Sequence, residues 1–88
     1  MTHPTMRNLY RTDGTIRRVV IQSPIKDLSV IAELLNCHTV AYINTPSASF
    51  LVDEDGVPKQ LPLNPEVSDI LRRPIVGDAL ELQTGDMA

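Results

Sequence analysis

Leu51-Val52-Asp53-Glu54-Asp55-Gly56 is the stretch on which the fold turns, read together with Leu61-Pro62-Leu63-Asn64-Pro65 and Pro74-Ile75-Val76-Gly77-Asp78-Ala79-Leu80-Glu81-Leu82. The first piece is a β-rich run, from Ser49 to Asp53, closed by an acidic turn that ends in glycine. Val57 to Leu61 reads as a short extended segment, and Pro58 within it predicts an edge position. Asn64-Pro65-Glu66 then opens a short helix: asparagine accepts from free backbone amides, and proline at the first helical position sacrifices no bond. Val67, Ile70 and Leu71 form its apolar side, and Arg72-Arg73 complement its C-terminal dipole before Pro74 stops it. Ile75 to Leu82 is the closing strand, with Gly77-Asp78 as a bend or bulge.

Working towards the N-terminus, Thr39–Ile43 precedes the 49–53 strand across the turn-forming Asn44-Thr45-Pro46-Ser47-Ala48. Before it, Leu28, Ile31, Ala32 and Leu35 fall at i, i+3, i+4 and i+7, the stripe of an amphipathic helix over about 27–36. Asp27 is one candidate N-cap, and Ser23 with Pro24 at the first helical position is the other; Asn36 is a stop. Residues 6–22 read as two strands joined at Thr12-Asp13-Gly14-Thr15, a strong hairpin signal. Ser23-Pro24 ends the second of them.

The predicted architecture is one small α+β domain over residues 6–82: a mostly antiparallel sheet of four to six strands, one helix of about ten residues and one short helix. Residues 1–5 are expected to be a flexible lead and 83–88 a loose tail. A chain of 88 residues has room for one core. Tyr10, Tyr42 and Phe50 are its only aromatics, so that core is aliphatic.

Charge is unevenly spread. Residues 1–26 carry Arg7, Arg11, Arg17, Arg18 and Lys26 against Asp13, a net +4, whereas residues 27–88 carry three basic and ten acidic groups, a net −7. The single Cys37 excludes an internal disulfide, and no apolar run approaches the roughly 18 residues of a membrane span. The N-terminal residues lack the apolar stretch of a secretory signal. A cytoplasmic protein is expected, and a thin core with an open sheet edge favours a homo-oligomer.

With these elements in place, the segment from about Thr39 to Leu82 resembles a family of small uncharacterised proteins of bacteriophages, plasmids and other mobile elements. Asp53-Glu54-Asp55-Gly56, Leu61-Pro62-Leu63-Asn64-Pro65 and Pro74-Ile75-Val76-Gly77-Asp78 carry the resemblance, through their order. What it implies is context: an accessory protein that neutralises a host component or signalling molecule in the bacterial cytoplasm. It carries no catalytic residues with it. The arginine-bearing hairpin lies outside the resemblance, so a function placed there is particular to this member.

Arg7, Arg11, Arg17 and Arg18 suit bidentate capture of phosphate or carboxylate if the hairpin gathers them, with Tyr10 either stacking on a base beside them or part of the core. The plainer reading makes them solvated strand residues that discourage edge pairing. Asp53, Glu54, Asp55, Glu66 and Asp69 form a candidate acidic docking face. The three consecutive acids lack the spacing of a calcium loop, so no metal is assigned to them. Cys37-His38 lacks the further ligands of a zinc site, and Cys37 reads as packing. Ser47 and Ser49 sit in no nucleophile-elbow motif, and only His3 and His38 offer imidazoles. No phosphate-binding glycine pattern is present.

These observations point to a non-enzymatic binding protein without a cofactor. It either sequesters a phosphate-bearing nucleotide signal or docks on a host protein through a sheet edge or the acidic face. A nucleic-acid-binding regulator is the alternative, opposed by a pI near 5.1.

Overall fold

The computed structural model describes residues 2–87. Its elements run β1 (His3–Tyr10), β2 (Ile16–Ser23), α1 (Leu28–Leu34), β3 (Val40–Asn44), β4 (Ser49–Asp53), α2 (Pro65–Leu71) and β5 (Ala79–Leu82). The five strands form one antiparallel sheet in the order β2-β1-β5-β4-β3, so the predicted α+β class holds.

Local chemistry explains most of the boundaries. At the first hairpin Arg11 N–H donates to Thr15 O and Gly14 N–H to Arg11 O, with Gly14 at φ +87°. The Asp13 carboxylate accepts from both the amide and the hydroxyl of Thr15. Asp27, not Ser23, caps α1 by accepting from Ser29 N–H. That helix is seven residues long rather than about ten, because Leu35 already serves as its C-cap and Asn36 turns left-handed at φ +55°. Asn64 caps α2, with Pro65 at its first position.

Two expected strands are corrected. Val57 to Leu61 is not extended: the Asp53 carboxylate gathers Asp55 N–H and Lys59 Nζ, winding 54–60 into successive turns. The closing strand begins at Ala79 rather than Ile75. Val76 makes one isolated bridge to Leu63, and Gly77 turns at φ +81°, where a Cβ would lie 2.9 Å from Leu61 Cδ1. Arg72, expected in the last turn of α2, is instead its left-handed C-cap at φ +55°, and that last turn holds no basic residue.

Both expected loose segments are also ordered by contacts. Strand β1 already pairs at His3, opposite Ser23. The residues after Leu82 fold back so that Asp86 is fully buried and its carbonyl accepts from Ile25 N–H. Met1 and Ala88 lie outside the described residues.

The sheet divides the core in two, which corrects the expectation of a single one. On one face Ile31 of α1 and its C-cap Leu35 pack against Leu9, Ile21, Leu51, Leu80 and Leu82. On the other, α2 supplies Val67 to Tyr10, Phe50, Val52 and Ala79. Side chains alternate along a strand, so a strand covered on both sides must be apolar at every position. Phe50-Leu51-Val52, buried throughout, meets that requirement. Tyr10 and Phe50 pack edge to face with ring centroids 5.8 Å apart.

Candidate functional site: the free edge of the sheet

The hairpin does not gather its arginines into one pocket. Arg7 is turned inward, its Nε 2.8 Å from Asp86 Oδ2 and its Nη2 2.9 Å from Oδ1. Its side chain is 11% exposed and that of Asp86 1%. Tyr10 is buried in the α2-side core, where burial raises its phenol pKa. Arg11 lies 3.9 Å from Asp78, whose other oxygen accepts from Thr12 N–H. That leaves Arg17 and Arg18, both exposed. As consecutive strand residues they point to opposite faces of the sheet.

The acidic group is broken up as well. Asp53 is buried and bonded to Lys59 at 2.7 Å. Burial pushes its carboxyl pKa up, but the Lys59 ammonium and Asp55 N–H outweigh burial and hold it below the ordinary range. Glu54 and Asp55 remain exposed in the turn after β4, and Glu66 and Asp69 on α2. Cys37 packs partly buried against the α1-side core, where burial raises its thiol pKa and works against a thiolate nucleophile. Among the described residues no three His, Cys, Asp or Glu side chains lie together in a metal-binding group, and no helix is long and apolar enough to cross a membrane.

What the hairpin does offer is an open edge. β2 is an outermost strand of eight residues. In an antiparallel ladder bonded and non-bonded pairs alternate. The Arg11 N–H to Thr15 O bond sets the phase, so Arg17, Val19 and Ile21 bond across to Leu9, Arg7 and Thr5. Tyr10 fits this phase, because its carbonyl points the other way and accepts from Asn64 Nδ2. Ile16, Arg18, Val20 and Gln22 therefore aim their backbone N–H and C=O groups outward, beyond the sheet.

The side chains of those four residues lie on the face that α2 covers further along, but α2 does not extend over β2. Val20 is 62% exposed and Ile16 51%, and Met6, paired with Val20 on β1, is 42% exposed. The result is an unpaired backbone ladder beside an apolar strip, with one arginine on each face. Sequence reasoning found the arginines and the hairpin and named a sheet edge as one docking surface, but it assigned residues only to the charged groups and Tyr10. It missed Asp86, which removes Arg7 from the surface and carries no local signal, lying 79 positions away.

Comparison with protein-family models, with curated proteins and with solved structures gives no match.

Proposed function

We propose that this protein is a non-enzymatic binding domain that captures an extended, acidic segment of a partner protein as a sixth strand along β2. The observation that carries this reading is the eight-residue free edge of β2, with its outward backbone groups and exposed Ile16 and Val20. Strand addition draws affinity from main-chain hydrogen bonds and selectivity from alternate side chains. A strand laid on β2 meets Arg18 on one face and Arg17 on the other, so carboxylates across from them give favourable cross-strand pairs. An apolar residue opposite Val20 covers the exposed strip.

The phosphate-sequestration reading loses two of its groups, since Arg7 is committed to Asp86 and Tyr10 to the core. The resemblance to mobile-element proteins makes a bacterial host protein the partner we favour, with the docking neutralising a defence or regulatory component.

Val20→Pro tests the reading, because it deletes an outward N–H without removing a bond to β1. Purified full chain titrated with a ten-residue peptide carrying Glu at the two positions opposite Arg17 and Arg18 and Val at those opposite Ile16 and Val20 is expected to bind, and Val20→Pro and Arg18→Glu each to weaken binding about tenfold or more. The same peptide with Lys in place of both Glu residues should bind far less. Equal affinity of wild type and Val20→Pro for the acidic peptide would overturn the proposal. So would sedimentation showing that β2 is occupied by a second copy, as a dimer that Val20→Pro disperses. A duplex DNA or RNA probe that binds in place of the acidic peptide would move the assignment to nucleic acid.

A further inference from the structure

A cleft of about 760 Å³ opens between the β3–β4 turn and the segment that follows β5. Its size falls within the range of small-ligand sites. The short α1 helps to explain why it is open. Seven residues give a helix of about 10 Å, which packs over Leu51 and Leu80. Asn44, Ser49 and Leu82 form a row across β3, β4 and β5 on that same face, with Leu82 at the margin of the α1-side core, and the cleft lies against this row.

The lining contains no Asp, Glu, Lys, Arg or His. A phosphate, carboxylate or ammonium entering it would give up water without meeting a counter-charge. What the lining offers instead is neutral and two-way: amides from Asn44 and Gln83 and hydroxyls from Ser47 and Thr84 both donate and accept. Asn44 already accepts from Ser49 through Oδ1, which leaves its NH2 group to donate. Tyr42, on the edge strand β3, is 48% exposed and supplies an aromatic face at the rim. Leu82 and Met87 supply an apolar floor.

Both walls are fixed in place. The β3–β4 turn is closed by Thr45, whose hydroxyl donates to Ala48 O and accepts from Ala48 N–H. The other wall is tethered by Asp86, which accepts from Arg7, Ser23 and Gln83 N–H. Walls held this way lose little freedom when a ligand binds.

We infer that this cleft is a second binding site, independent of β2, for an uncharged, hydroxyl-rich ligand: a neutral saccharide whose hydroxyls exchange hydrogen bonds with the amide and hydroxyl lining while one sugar face stacks on Tyr42. Vicinal hydroxyls present alternating donors and acceptors, which matches a lining that can play either role. The apolar C–H face of a pyranose matches an exposed phenol ring.

Amide chemical shifts of the full chain test this, titrated separately with maltohexaose, cellohexaose and N-acetylchitohexaose, and with AMP as the charged comparison. At least one saccharide is expected to give saturable shifts confined to residues 42–49 and 82–87. Tyr42→Ala, and Ser47→Arg as a cleft-filling change, should each weaken that binding about tenfold or more, while Val20→Pro leaves it unchanged. Absence of saturable shifts with all three saccharides overturns the inference. Shifts that survive both cleft substitutions, or AMP binding at the same residues, overturn it too.

Discussion

Arg7 reaches across 79 positions of sequence to hold both carboxylate oxygens of Asp86, with Nε at 2.8 Å and Nη2 at 2.9 Å. Ser23 and the amide of Gln83 donate to the same carboxylate, so strand β1, the end of β2 and the segment after β5 meet at one buried charge. Fork-shaped pairing of this kind is the strong form of ionic hydrogen bond. Removing one member leaves the other buried and unpaired. Arg7→Ala or Asp86→Ala is therefore predicted to lower unfolding free energy by roughly 3 kcal/mol, measured by urea denaturation. A loss below about 0.5 kcal/mol, the size expected of an exposed pair, would show that the pair is a surface contact.

The same carboxylate sets an acid limit on stability. Burial pushes the Asp86 pKa up, but the bonds from Arg7, Ser23 and Gln83 N–H outweigh it and hold the group at about 2, against an ordinary 3.8. A folded pKa below the unfolded one means stability that is fully present above the unfolded value and is lost as pH falls through the folded one. Between about pH 4 and pH 2 the expected loss from this group is about 2 kcal/mol. Urea midpoints for the wild type and for Asp86→Asn, followed from pH 6 to pH 2, check it: the variant should start lower and fall less steeply.

Asn64 joins three elements with one side chain. It is fully buried, its Nδ2 donates to Tyr10 O and Gly77 O at 2.9 Å each, and its Oδ1 accepts from Val67 N–H. Asn64→Asp retains the cap but sets a carboxylate oxygen against two carbonyls. We predict a loss of about 3 kcal/mol, combining two forfeited hydrogen bonds with the burial of a charge. Thermal unfolding should show Asn64→Asp at least as damaging as Asn64→Ala, although aspartate and asparagine cap equally well at exposed helix starts.

The phase of the first hairpin yields a paired prediction. Val19 N–H bonds across to β1, whereas Val20 N–H faces outward, by the alternation fixed at Arg11 and Thr15. Val19→Pro should destabilise the fold by about 3 kcal/mol and Val20→Pro by clearly less. Circular dichroism melts of the two variants decide it, and equal losses would show that the edge phase is the reverse of the one derived.

Local chemistry was legible in the sequence, because its causes lie within a few residues. Asp13-Gly14 closed the first hairpin, Asp27 and Asn64-Pro65 began the helices, and the burial of Phe50-Leu51-Val52 had a signal in three consecutive apolar residues. That run marks a strand covered on both faces, and the reading of one core passed over it. Of the remaining errors, the one at Arg7 has a long-range cause and the one at Val57–Leu61 a local one. Nothing near Arg7 announces Asp86. Val57–Leu61 has the composition of an extended segment, and it winds up because Asp53 draws in Lys59. For the candidate site, charge drew attention to the hairpin, but Arg7 is committed to Asp86 and Tyr10 to the core. What distinguishes β2 is its backbone, and backbone exposure follows from strand order, which residue types do not encode.

That order, β2-β1-β5-β4-β3, places the last strand of the chain in the middle of the sheet. The hairpin of β1 with β2 and the hairpin of β3 with β4 share no ladder with each other; each is joined only to β5. As the chain emerges from a ribosome, both hairpins can form early, yet the sheet must wait for Ala79–Leu82 to slot between them. Until then β1 and β4 each present an unpaired edge, and in a crowded cell a newly made copy would rely on the speed of that final insertion to avoid pairing with its neighbours.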